Sequence, residues 1–303
     1  MSSATDGASL IADVNLTLRS AANLLTRDLI SAGRDIPVGG IPVPSGDDAA
    51  ALARPAPAGT DLSFPAGESA LAAVAPGNGL GPAVNGVATD IVTLLVADTT
   101  LALNEEFLAA IAADGSAATI DAAIPIDDPA IGVQAGDLIM FTNSLGNALQ
   151  MVTGVDGQTL EFDAGDAMNL NQRAAGQGTV IEIQSAPGVY PETTATRIVM
   201  VSYYIDVSDA SRPALVRRVN FGPERAIAIG VENIQITFDL VDGDTNPVNL
   251  AEPVAPNTPD QIRKANLFLS GRSFRVWRAG GQRLRSSVST QVSLRSLAFR
   301  DRY

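Results

Sequence analysis

Helix-period apolar spacing occurs once at length in this chain, near its start, and the remaining sequence reads mostly at strand period. Leu10, Val14, Leu18, Ala21, Leu25, Leu29 and Ala32 recur at intervals of four and three, so they share one helix face, widened by Ile11, Ala22 and Ile30. Arg19, Asn23, Thr26, Arg27 and Ser31 fall mainly on the other side. Ser9 is a candidate N-cap, and Gly33 supplies the left-handed residue that ends a helix, with Pro37 close behind. Leu10 to Ala32 would be about 34 Å long at 1.5 Å per residue, enough to cross a whole sheet. One amphipathic helix ahead of a series of strands has to bury its stripe on those strands, which predicts an α+β fold with the helix packed on antiparallel sheet.

The strand signals come in series. Asp90 to Ala97 is apolar enough for a central strand, and Asp137 to Thr142 and Leu149 to Thr153 flank a turn at Asn143 to Asn147. Asp156-Gly157 separates two further short runs as a hairpin. Asn104 to Ala113, with Glu105 and Glu106 in its first turn, is expected as a short helix. Arg197 to Val207, Ala214 to Asn220, Ile234 to Leu240, Ala265 to Ser270, Phe274 to Arg278 and Ser287 to Leu297 each read as strands. The terminal run Val292 to Tyr303 is expected to form an edge strand. Period-two alternation marks sheets with one wet face, hence antiparallel pairing. Ile36 to Ala58 and Pro76 to Gly86 are loops rich in Pro and Gly. The expected organisation is a helix and lead-in over 1–36 and a β-rich head over 37–303, the latter divisible into two joined lobes, 37–185 and 186–303.

Composition narrows the chemistry. The chain has no Cys and no His, which removes disulfides, Ser-His-Asp and Cys-His catalysis and imidazole-bound metals together. Carboxylate pairs and oxygen-ligated calcium or magnesium remain. Charge is segregated: residues 55–172 hold fifteen Asp or Glu and no Lys or Arg, whereas residues 263–303 hold ten basic residues against Asp301 alone. Acidic loops at one pole and basic strands at the other suit either ordinary solvated surface or oriented assembly. The net charge of −13 repels phosphate, and the basic strands lack stacking aromatics apart from Trp277, so no nucleic-acid partner is expected. No segment has the ~20 apolar residues of a membrane span.

Ala21-Ala-Asn-Leu-Leu-Thr-Arg-Asp-Leu-Ile-Ser-Ala-Gly33 resembles the second half of the long helix in PilW-type minor pilins of type IV pili. Thr89 to Val96, Ala135 to Phe141, Val199 to Asp206 with Tyr203-Tyr204, Leu215 to Arg218, Ile229 to Ile236 and Val292 to Ala298 resemble, in order, successive strands of that family. The pseudopilins of type II secretion share the plan. The resemblance implies a head whose helix is the second half of a longer one, lying on antiparallel sheet with long acidic loop insertions. It implies a structural rather than enzymatic part in pilus assembly near the filament tip, with other minor and major pilins, and a tip adhesin, as partners. Its location would be the extracellular or periplasmic face, and the inner membrane before assembly, through an apolar N-terminal segment that this sequence does not contain. Leu18, Leu25, Leu29 and Arg27 are then the expected interaction face.

No cofactor is expected; calcium is the one ion left open. Asp242-Gly-Asp-Thr-Asn246 sets oxygen side chains at alternate positions, as a calcium loop begins, with Asp239 or Asn249 as substitute ligands. Pro247 and Pro253 stand where such a loop has Gly and Glu, so an ordinary turn fits the residues as well. A secreted calcium-dependent binding module is the alternative from another class. Glu105-Glu106 and Asp127-Asp128 are adjacent carboxylates, which point apart on either helix or strand and read as turn or capping acids.

Overall fold

The computed structural model describes residues 2–104, 109–122, 125–130, 132–184, 192–294 and 297 of the 303-residue chain. It is α+β, with one N-terminal helix and many antiparallel strands. Helix α1 runs Ser2–Ser31. The strands of three or more residues are β1 Val92–Asp98, β2 Ala109–Ile111, β3 Ala117–Ile120, β4 Leu138–Asn143, β5 Gly146–Met151, β6 Gly154–Asp156 and β7 Thr159–Glu161. They continue with β8 Thr194–Asp206, β9 Ala214–Val219, β10 Arg225–Ile229, β11 Val231–Leu240, β12 Ile262–Trp277 and β13 Gln282–Ser293.

The helix starts eight residues before the expected Leu10, so Ser9 lies within it and is not its cap. Ser2 to Ala8 carries no apolar period to read; this turn is held instead by distant contacts. Gly7 lies under the Trp277 indole, where an added Cβ would come 3.1 Å from Nε1. At the other end Gly33 adopts φ 81° and donates its N–H to Leu95 O at 2.9 Å. A Cβ there would meet Leu297 Cδ2 at 2.7 Å, so the position requires glycine for space as well as for conformation.

The thirteen-residue β8 organises the largest sheet. Along one edge it pairs first with β4 (Ile198↔Leu138) and then with β9 (Val201↔Val219); along the other it pairs with β1 (Val199↔Val96). Asn220, at φ 49°, fills the gap between β4 and β9, donating its N–H to Met200 O and accepting from Met200 N. The sheet draws strands from both sides of residue 185, so that position does not divide the head into lobes with separate sheets. A four-stranded sheet in the order β6-β7-β3-β2 covers the far side of β4 and β5, where Phe141 and Phe162 meet edge to face at 5.7 Å between centroids.

The third sheet is β11-β12-β13. Along β11, Ile234, Ile236, Phe238 and Leu240 are buried and Asn233, Gln235, Thr237 and Asp239 alternate with them on the wetter face. The helix lies along β12 and β13 and reaches β10 and β1. The residues Val14, Leu18, Ala21, Ala22, Leu25, Leu29 and Ala32 enter one core with the inner faces of both larger sheets.

Three expectations are corrected. Ala109 to Ile111 is a strand and not part of a helix, because the Asp114-Gly115 turn folds it back on β3; Asp114 accepts from Ser116 N and Oγ, and Gly115 takes φ 70°. Glu105 and Glu106 lie outside the described residues. Ala265 to Ser270 and Phe274 to Arg278 are not two strands but parts of β12, which continues through a bulge between Arg272 and Val276. The edge strand is β13, which begins at Gln282 and takes in only Val292 and Ser293 of the expected Val292 to Tyr303; Leu297 is buried against Gly33, and residues 295, 296 and 298–303 lie outside the described residues.

Candidate functional site: the helix and the basic hairpin

The proposed interaction residues separate into two environments. Leu18, Leu25 and Leu29 are 1, 0 and 0% exposed, enclosed by the head's own sheets. They therefore do not form a face open to another subunit. The stripe is buried on the strands, as its amphipathic period required, so of the four residues only Arg27 is left for a neighbour. Arg27 is outward, its side chain 70% exposed, in a stripe with Leu16, Ser20, Asn23 and Ile30. That stripe is the part of the helix free to meet a partner.

Buried polar ties fix the helix to the sheet. Asp28 Oδ2 accepts from Tyr203 Oη at 2.6 Å and from Arg217 Nε at 2.7 Å, joining α1 to β8 and β9. Burial first, and the adjoining Asp28 carboxylate next, raise the Tyr203 hydroxyl pKa, so it stays a donor at any ordinary pH. Between the helix and β10 to β12 runs a groove of about 210 Å³. Leu10, Val14, Leu18 and Val231 line it with Asp13 on the helix and Arg272 and Arg275 on β12. Exposed Ile229 and Phe274 stand beside it, the Phe274 ring under the Arg212 guanidinium at 5.2 Å. The β12–β13 turn region thus presents Phe274, Arg275, Val276 and Arg278 to solvent.

Glu232 anchors this basic region. It is 4% exposed and accepts from Arg285 Nε at 2.7 Å and Asn85 Nδ2 at 3.1 Å, with Arg272 Nη1 at 3.2 Å. Burial works to raise its pKa, but the hydrogen bonds from Arg285 and Asn85 and the two guanidinium charges outweigh it and hold the carboxyl below its usual range. Asp90, also buried, spans two sheets: it accepts from Gly79 N at 2.8 Å and Ile236 N at 2.7 Å. Arg54 is 3% exposed, its guanidinium donating to the carbonyls of Pro76, Ala75 and Ile91 and lying 5.4 Å from the centre of the Phe64 ring. Desolvation lowers its pKa to about 10. None of these three stands out in the sequence, because each acts on backbone groups or side chains distant along the chain.

Among the described residues the carboxylates act as straps and turn acids. Arg197 bridges Asp98 Oδ2 at 2.5 Å and Asp137 Oδ2 at 3.7 Å, which suits a strap across β1, β8 and the lead into β4. Asp128 accepts from Ala130 N at 2.8 Å as a turn acid, and Asp127 is exposed. The candidate calcium residues form an Asx turn. Asp242 Oδ1 accepts from Asp244 N and Asn246 N, both at 2.9 Å, and Oδ2 from Thr245 Oγ1 at 3.0 Å. Asp239 is engaged with Asn249 N and Asn266 Nδ2. Among the described residues no three acidic side chains gather to hold a metal. Asp242→Ala should lower the melting temperature only slightly through loss of the turn bonds, and calcium should leave the melting temperature of the parent chain unmoved. A calcium-dependent rise that the variant abolishes would contradict this.

Comparison with protein-family descriptions, with curated proteins and with solved structures finds no match to this chain.

Proposed function

We propose that this chain is the head of a PilW-type minor pilin, a structural and non-catalytic subunit working near the tip of a type IV pilus. The observation that carries the reading is the manner in which α1 is used. A 30-residue helix, about 45 Å long, lies lengthwise on antiparallel strands, its apolar side spent on its own head and its opposite side left open. Such a helix can bear a head rigidly while presenting Leu16, Asn23, Arg27 and Ile30 to neighbouring helices. The segregated charge supports oriented lateral contacts, the basic β12–β13 hairpin of one subunit toward the acidic turns of another. Asp61, Asp114, Asp121 and Asp156 are exposed on such turns and loops.

In this reading the partners are minor and major pilins and a tip adhesin. The head would be held at the periplasmic side of the inner membrane before assembly and lie outside the cell afterwards. A minor pseudopilin of type II secretion would use the same head and the same helix face. Disulfide cross-linking of single-cysteine variants within sheared filaments tests the proposal. Incorporation with cross-links from the open helix face supports it, and exclusion of an exported, folded chain from filaments overturns it.

A further inference from the structure

We propose that the outer edge of β13 accepts an added β-strand from a partner polypeptide, an extended segment rich in carboxylates. Among the described residues, the edges of β11 and of the end of β5 are closed by side chains or loops. At the end of β5, Asn171 takes both backbone groups of Met151, accepting from its N–H at 3.0 Å and donating to its carbonyl at 2.8 Å. On β11, Asp90 accepts from Ile236 N, Asp90 N donates to Ile234 O at 3.1 Å, and Leu250 exchanges two backbone bonds with Phe238. Among the described residues the twelve-residue β13 pairs with β12 alone. Ser286 to Ser293 contains no Pro, Gly or charged residue, the usual means of blunting an exposed edge. Among the described residues nothing caps the outward backbone groups of this stretch.

The flank determines the chemistry of the occupant. Ser286 Oγ donates to Asn15 Oδ1 at 2.6 Å, so the side of α1 bearing Asn15 overhangs β13. Ala8, Ala12, Arg19 and Ile30 fall within about 60° of Asn15 around the helix, at 100° per residue. A strand added to β13 would lay its inward side chains beneath that flank, small or apolar beside the alanines and Ile30 and acidic beside exposed Arg19. A second copy of β13 is a poorer occupant. Residues 263–293 carry seven basic side chains and no acid, so pairing two such hairpins sets like charges together. Main-chain bonds would supply the affinity and alternate side chains the selectivity, as in other strand additions. The inference needs only the open edge and the basic residues that flank it, and stands apart from the filament reading.

Hydrogen exchange of the full chain, with and without the peptide acetyl-Val-Glu-Val-Glu-Thr-Glu-Val-amide, tests it. Protection of the outward amides within 286–293 should rise by roughly tenfold or more at saturating peptide. It should vanish when alternate peptide nitrogens are methylated, and Arg19→Glu should weaken binding by about two- to fivefold, as loss of an exposed ion pair does. Absence of protection at millimolar peptide, or equal protection by the lysine counterpart, would overturn the proposal. Protection that grows with protein concentration alone, together with dimers in sedimentation, would assign the edge to a second copy and overturn it equally.

Discussion

Leu25→Asp should leave the head unfolded or destabilised by about 5 kcal/mol, the loss of a buried leucine compounded by a carboxylate without a partner. Leu25 is fully buried in the core shared by α1 and both larger sheets. Arg27→Asp, two residues away on the exposed side, should change stability by no more than about 0.5 kcal/mol. Paired urea titrations of the two variants check the contrast. A small effect at position 25 would show that the helix is not docked as described, and a large one at position 27 would mean that the open face is occupied.

Glu232→Gln should be the next most damaging change, at about 3 kcal/mol. It leaves two guanidinium groups facing an uncharged amide in a nearly dry site, though the exposure of Arg285 softens the loss. The effect should depend on pH in a set direction. The folded pKa of Glu232 lies below its ordinary value, so its ionisation stabilises the fold in full above the unfolded pKa near 4.5, and that contribution fades as pH falls through the lower folded value. The melting-temperature gap between the parent and the variant should therefore be level from about pH 8 to pH 5 and close below about pH 4.5. A gap that persisted unchanged to pH 3 would show that the carboxylate charge is not what holds Arg272 and Arg285.

How much could be read from the sequence depends on the reach of each interaction. The helix, its stop at Gly33, β1, β4, β5, β8, β9 and β11 were legible because periodicity and turn residues are local signals. The bulge in β12 was not, since it exists only against β13, and the first turn of α1 was not, since Trp277 lies 270 residues away. The apolar helix face was read correctly as packing on the strands, and Leu18, Leu25 and Leu29, once spent there, are not left for the further role of an interaction face. For the Asp242 turn the sequence offered two readings, and the Asx turn to the backbone amides of Asp244 and Asn246 is the one whose bonds are seen. Arg54, Asp90 and Glu232 gave no signal because their partners are carbonyls, amides and arginines far along the chain.

The absence of cysteine from the chain makes the central claim directly measurable. Asn23→Cys and Arg27→Cys place single thiols on the open helix face, and Leu25→Cys places one in the core. In filaments sheared from cells under mild oxidation, with cysteines introduced into candidate neighbouring pilins, the first two variants should form disulfide-linked species and the third should not. Cross-linking from Leu25→Cys as strong as from Arg27→Cys, or folded chain exported yet absent from the filament fraction, would contradict the account.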